Sequence, residues 1–523
     1  PISFLILVLA IFYLSIFGIK TDKFNNQIIN KISESNKRVN LDLKNIKIVL
    51  SPLDLKANIV TFDTNILFNN KRIQLESIKT KISLLQLFKN KFSIDNLQIS
   101  SKSIKAKNLI SFIRSVNNDP KLLLLEMMIR DGDIEGSINL NFNKAGKVKN
   151  NFKFNGVVKQ LKIKTLNDYN LDNINFFFNI KDKEYKFLKI ETELNTIKLN
   201  SPSITIIKKN NSFLIDGKIT NKEEDIPFDK IKDLLVNYTD LNLKDLHLIS
   251  NNNFSFEINK KLKLSNLNIN SEINLSKLTY KNNFKSIQKY FPEIKESINL
   301  KNHKINFNYN KDKTKITGSG QILIEGNEDE ISYEITKKNT DKGFKLSNLN
   351  INSEINLSKL TYKNNFKSIQ KYFPEIKESI NLKNHKINFN YNKDKTKITG
   401  SGQILIEGNE DEISYEITKK NNKYYFENIF EIKKNIFLIN ELKYKKEKDK
   451  KALIKINGIL ELDKNIFFNE ISLIESKNNI FIKNLNLDSK FKISNVEVFK
   501  LDYKNYDKIY NQILLIKNEN NYT

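Results

Sequence analysis

Residues 263–339 recur without a single change at 345–421, a shift of 82 positions. A globular core rarely accepts a copied block of that size, because every buried side chain would need new partners at once. An elongated stack, in which each unit touches mainly its neighbours, accepts it readily. Such identity marks a recent duplication or an error in assembling the gene. Read as a duplication, it predicts a long, repetitive chain.

The pattern inside the copied block says what kind of stack this is. In Lys304–Asn310, Ile305, Phe307 and Tyr309 fall on one face and three asparagines on the other. In KITGSGQILIE, Ile316, Gly318, Gly320, Ile322 and Ile324 share a face, and Ile331, Tyr333 and Ile335 follow. A period of two is the signature of half-buried antiparallel strands, here joined by polar turns such as NKDK and EGNEDE. Each copy is expected to hold roughly six strands, lengthening a stack by about 25–30 Å. The alternation begins at Val39, Leu41 and Leu43 and continues almost to the C-terminus. Helical spacing is confined to Ile104–Arg114, Lys121–Arg130, Phe228–Tyr238 and Phe284–Ser297, and to Phe24, Ile28, Ile29 and Ile32 near the start.

Ile2 to Ile19 form an uncharged run of 18 residues. As a helix it would reach roughly 27 Å, close to a bilayer core of about 30 Å. Lys20, Thr21, Asp22 and Lys23 follow directly, without the small-residue site of a cleaved signal. The expectation is an uncleaved transmembrane anchor.

The remaining composition narrows the function. There is no Cys, so disulfides, thiolate metal sites and a Cys nucleophile are excluded, and there are 3 His. The formal charge of +27 comes almost wholly from Lys, with Arg only at Arg38, Arg72, Arg114 and Arg130. A nucleic-acid binder would more often use the bidentate fork of Arg. The lysines alternate with acidic residues and asparagines, which reads as a solvated face, with attraction to anionic lipid headgroups second and nucleic acid last.

Several apparent motifs dissolve on inspection. Asp131-Gly132-Asp133-Ile134-Glu135-Gly136 starts like a calcium loop, but its twelfth position is Phe142, so a hairpin turn is the expectation. Gly318-Ser319-Gly320 lacks the third glycine of a dinucleotide fingerprint, which would be Leu323; close strand packing is expected instead. The clusters Glu223-Glu224-Asp225 and Glu328-Asp329-Glu330 read as polar turns. His303, its copy His385 and His247 have no Asp, Cys or His at ligand spacing. No catalytic residue, metal or cofactor is nominated.

The apolar rows need cover. A second sheet would bury them in a sandwich. A curled, incompletely closed sheet would leave them lining a trough, whose natural ligand is an acyl chain. The residues alone leave both open. Lining candidates are Ile305, Phe307, Tyr309, Ile316, Ile322, Ile324, Ile331, Tyr333 and Ile335, with their copies Ile387, Phe389, Tyr391, Ile398, Ile404, Ile406, Ile413, Tyr415 and Ile417.

The anchor, the strand–Ser51-Pro52-Leu53–strand of VNLDLKNIKIVLSPLDLKANIV (39–60), the stretch ISLLQLFKNKFSIDNLQIS (82–100) and RDGDIEGSINLNFNKAGKVKNNFKFNGVVKQLKIK (130–164) together resemble the AsmA-like family, closest to its YhdP-like branch. Asn90 and Lys91 stand where the family pattern has a glycine turn. The resemblance implies a mainly β chain: a transmembrane helix, then an elongated antiparallel sheet curled into a groove (a β-taco or solenoid), with a few short helices. It divides the chain into an anchor (1–20), a helical linker (21–38), an N-terminal β region (39–165), its continuation (166–262), two repeat copies (263–344 and 345–426) and a C-terminal β region (427–523). It implies a bacterial inner-membrane protein with its body in the periplasm. Such a protein carries phospholipids toward the outer membrane, meets outer-membrane or periplasmic partners there, and performs no catalysis. The rival expectation is a membrane-anchored scaffold of closed sandwiches that conducts no lipid.

Overall fold

The computed structural model describes residues 2–22, 25, 26, 29, 30, 39–69, 71–84, 94–117, 119–143, 149, 151–165, 169–222, 226, 242–281, 297–324, 326–339, 349–363, 367–376, 379–406, 408–461, 465–518 and 521–522. The chain is mainly β, as the alternation demands, and every described strand pairing is antiparallel. Cα packing separates two units, residues 1–223 with 251–267 and residues 224–250 with 268–523.

The first unit opens with α1 (Ile2–Ile16). Strands β1 (Ile19–Thr21), β2 (Val39–Asp42), β3 (Asn45–Ser51), β4 (Lys56–Phe62), β5 (Asn65–Phe68), β6 (Lys71–Ser83), β7 (Ile94–Ser101) and β8 (Ile104–Lys105) follow. Two helices, α2 (Ala106–Val116) and α3 (Pro120–Met128), precede β9 (Ile129–Asn141), β10 (Lys153–Lys164), β11 (Asn170–Lys181), β12 (Glu184–Leu194), β13 (Ile197–Lys208) and β14 (Ser212–Asn221). The ladder runs β1, β3, β4, β6, β7, β9 and then in sequence to β14. Helix α2 begins with Ala106, fully buried among Ile129, Val158, Leu161, Ile174 and Phe178, the core of this unit. Asp119 caps α3, its carboxylate accepting from the Lys121 backbone N–H at 2.9 Å.

Two long strands, β15 (Asn242–Asn259) and β16 (Leu264–Lys281), carry residues of both units. The second unit continues with β17 (Ser297–Tyr309), β18 (Lys313–Ile324), β19 (Asn327–Lys338), β20 (Leu349–Lys363), the single turn α4 (Lys367–Gln370), β21 (Ser379–Asn392), β22 (Lys395–Ile406), β23 (Asn409–Lys420) and β24 (Lys423–Ile432). The short hairpin β25 (Phe437–Ile439) and β26 (Tyr444–Lys446) stands apart. Then come β27 (Ala452–Glu461), β28 (Ile466–Glu475), β29 (Asn478–Leu487), β30 (Ile493–Asn495), β31 (Val498–Lys504), β32 (Tyr510–Asn518) and β33 (Asn521–Tyr522). From β16 to β24 each strand pairs with the next, and the ladder goes on through β27, β28, β29, β31 and β32.

Several expectations need correction. The N-terminal helix stops at Ile16 after 15 residues, and Ile19 already pairs with Ile48. The break is Gly18, whose φ of +66° only glycine adopts easily and which lies so close to β3 that a Cβ would sit 2.8 Å from a Val49 methyl. Among the described residues no helix is long and apolar enough to cross a membrane. Each repeat copy contributes four described strands, of 12 to 18 residues, rather than six, and widens its sheet by about 19 Å. Asp131–Gly136 is no hairpin turn: β9 runs straight through it, with Gly132 pressed under Leu161 where β10 bulges. Nor is Glu328–Glu330 a solvated turn. It opens β19, and Asp329 is buried. The helix expected at Ile104–Arg114 starts two residues later, and Arg130 belongs to β9 rather than a helix. Of the helix expected at Phe284–Ser297 only Ser297 is described, and it opens β17; Phe228–Tyr238, most of the 21–38 linker and the 223–225 cluster lie outside the described residues.

Candidate functional site: an apolar face shared by successive strands

On β17, Ile305, Phe307 and Tyr309 are half-buried while Lys304, Asn306 and Asn308 between them are exposed. The N-terminal half of the strand has the opposite phase, Ile298 and Leu300. A bulge at Asn302, with φ of +52°, absorbs the slip. Leu300 pairs with Ile322 and Ile305 with Gly318, so both halves point to the same side. Asn384 does the same on β21, with φ of +50°.

The register then joins the candidates into rows. One row passes through Ile273, Ile305, Gly318, Tyr333, Ser353, Phe389, Ile398, Ile417, Phe426, Gly458, Phe468 and Leu485. A second passes through Gly320, Ile331, Ile355, Ile387, Gly400 and Tyr415, and continues by way of Asn428 to Ile456, Ile471, Ile482, Phe499 and Leu515. A third joins Phe307, Ile316, Ile335, Ile351 and Tyr391. All the candidates fall on this one face. The alternation in INSEINL could have revealed Ile269, Ile273, Ile351 and Ile355 as well, but the intervening Ser271 and Ser353 obscured it.

The glycines make room for rings. A Cβ on Gly318 would collide with the Tyr333 ring, and one on Gly320 with the His303 ring. The His303 Nε2 lies 3.0 Å from the Gln321 carbonyl oxygen, and the ring stacks on Tyr333 at 5.9 Å. His385 stacks on Tyr415 at 6.1 Å. Burial pushes both imidazoles below the ordinary histidine value. Neither has an acidic partner in this packing, and among the described residues no group of three His, Asp or Glu side chains could hold a metal ion.

Most candidates are half-buried, shielded among the described residues by their cross-strand neighbours. Ile322, Ile404 and Ile406 are the exceptions. Ile404 and Ile406 form a small core with Ile376, against Phe373 and Tyr362. Beside it, Phe437 packs against Phe373 with ring centroids 5.0 Å apart and tilted, and belongs to a larger core with Ile432, Tyr444, Ile454, Leu473, Ile480, Leu501 and Tyr503. The rows are thus flanked by a sealed core at one margin. A polar network tightens that margin. The Asp411 carboxylate accepts from the backbone N–H groups of Lys433, Lys434 and Asn435 and from the Asn435 side chain. Lys446, fully buried, donates to the carbonyls of Lys433 and Asn435 at 2.7 and 2.8 Å. Burial holds its amine below the ordinary lysine range. Burial and a 2.7 Å bond to Glu475 push the Tyr444 hydroxyl up.

The opposite face is a charge ladder. Lys315 pairs with Glu334, Lys386 with Glu354 and Lys397 with Glu416, at 2.7, 2.8 and 2.8 Å. Exposed pairs of this kind stabilise by about 0–1 kcal/mol each. Their stronger effect is to fix which face meets water. Two clefts also lie there: one of about 260 Å³ between Lys386, Ser401, Glu416 and Glu427, and one of about 370 Å³ beside Asn350, Asn390 and Lys397.

No protein-family model, curated protein or solved structure matches the chain. The two-faced sheet therefore has to speak for itself. What such a face can do chemically is hold apolar matter along rows many strands long.

Proposed function

We propose that the chain is a membrane-anchored carrier of phospholipid in the periplasm of a bacterium, with acyl chains lying along the apolar rows and headgroups in water. The observation that carries this reading is the continuity of those rows. They pass from β17 through both repeat copies to β29 with only Ser, Gly and Asn interruptions, and most of their apolar side chains are half-buried. Curling of the sheet around the lipid belongs to the same proposal. So does insertion of α1 in the inner membrane, with the body on the periplasmic side and the far end toward outer-membrane partners. α1 is apolar all round and has no buried residue, a combination that water does not favour and lipid does. Carriage on a passive face needs no catalysis; direction comes from partners or gradients.

A scaffold role is the second reading. It is favoured by two clefts on the polar face and by the sealed core around Phe437. Transfer of fluorescent phospholipid between vesicles separates the two. Replacing Ile305, Phe307 and Tyr309 together by Asp should abolish transfer by the full chain, while Asn306→Asp with Asn308→Asp on the other face should not. Unchanged transfer by a folded triple variant, or none by the native chain, would favour the scaffold.

A further inference from the structure

We infer that the β3–β4 turn, Pro52–Leu55, is a second membrane contact beside α1, with Leu53 and Leu55 seated in the lipid surface. This rests on the reading of α1 as a membrane segment. Only Phe17 and Gly18 separate the end of α1 from β1, and β1 is locked to β3 by the pairs Ile19–Ile48, Lys20–Lys47 and Thr21–Ile46. There is no spacer, so whatever plane α1 enters, this end of the sheet meets.

β3 does not stop at the level of Gly18. It runs three residues past Ile48 to Ser51, about 10 Å, before the turn begins. β1 runs from Ile19 to Thr21 in the opposite sense to β3, so the turn lies on the side from which α1 arrives. At that tip Leu53 is fully exposed and Leu55 about half exposed.

The turn is built, not loose. The Leu55 N–H donates to the Pro52 carbonyl at 3.1 Å, the Ser51 hydroxyl to Asp54 at 3.0 Å, and the Leu84 N–H to the Leu55 carbonyl at 2.9 Å. Leu55 holds a φ of +49°, which a leucine adopts only under such constraint. Two leucines held at one turn tip beside a membrane segment gain free energy when lipid rather than water receives them. The backbone carbonyl of Leu55 is already paired, so the tip can approach lipid without leaving that group unsatisfied. Lys20 and Lys47 follow one strand-length below, at the level of anionic headgroups.

The chain has no tryptophan, so each substitution to Trp creates a single reporter. The full chain carrying Leu53→Trp is reconstituted in phosphatidylethanolamine–phosphatidylglycerol vesicles with or without brominated acyl chains. Phe12→Trp on α1 and Phe62→Trp, at the far end of β4, serve as references. The expected result is at least twofold quenching and a blue shift at positions 53 and 12, and neither at 62. Quenching at 12 without quenching at 53 overturns the turn contact and leaves the anchor standing. Quenching at neither overturns the anchor reading and the inference with it. Equal quenching at all three marks adsorption without a defined contact and also overturns the inference.

Discussion

The two copies of the repeat have one sequence and two settings. Within each, the strand register is the same: Phe307 faces Ile316 as Phe389 faces Ile398, and Gly318 faces Tyr333 as Gly400 faces Tyr415. Between them the rows do not simply line up. Ile273 of the first copy lies in the row of Ile305 and Tyr333, whereas its counterpart Ile355 lies in the row of Ile331. The rows therefore step two residues along the strands from one copy to the next, which keeps apolar side chains on the same face because the step is even. What differs is the margin. Asp329 accepts from the backbone and hydroxyl of Ser358, the next copy's own residue, at 2.7 and 2.6 Å. Asp411 accepts from a loop that exists once, Lys433–Asn435. The lesson is that the same carboxylate serves as a joint between copies in one place and as the fastener of a terminal core in the other.

The sharpest way to break this comparison is at those two aspartates. Asp411→Ala leaves three N–H groups and a buried amide without their acceptor and should destabilise the chain by about 4 kcal/mol, against about 2 kcal/mol for Asp329→Ala. Urea unfolding followed by circular dichroism reads both. Equal losses would mean that the margins are equivalent. A smaller and symmetrical effect is expected inside the copies. Gly318→Ala and Gly400→Ala each push a methyl into a tyrosine ring and should cost about 1–3 kcal/mol, with the two values alike. A large asymmetry would show that the rows are packed differently in the two copies.

The smallest effect is on pH dependence. His303 and His385 are held neutral by burial, so the folded chain binds fewer protons than the unfolded one as pH falls below the ordinary histidine value. Their contribution is present above that value and is lost progressively below it. Stability should fall between about pH 7 and pH 5, and replacing both residues by Gln should flatten that slope, each single variant removing part of it. An unchanged slope in the double variant would place the titrating groups elsewhere.

Much of this was legible in the residues. Alternation of Ile, Phe and Tyr with Lys and Asn is enough to predict strands and their apolar face, because the side-chain period of a strand is two. Other features depend on partners that the local sequence does not announce. The phase slip between Leu300 and Ile305 is visible as letters, but that a bulge at Asn302 absorbs it depends on how β18 pairs alongside. Glu328-Asp329-Glu330 looks like a solvated turn until Ser358 arrives from the next copy. The apolar run Ile2–Ile19 does not reveal that β3 captures Ile19 and ends the helix at Ile16. Identical residues in the two copies make the limit plain: Asp329 and Asp411 have the same neighbours in sequence and different ones in space.

The central claim, that the apolar rows hold lipid, is tested most directly by native mass spectrometry of the full chain, purified from bacterial membranes in mild detergent, beside a chain lacking residues 263–344. The joint left by that deletion restores the repeat sequence, so the strands can pair as before. Several co-purifying phospholipids on the full chain, and fewer on the shortened one, are the predicted result. A folded chain that carries none, or the same number with and without the copy, would contradict the account.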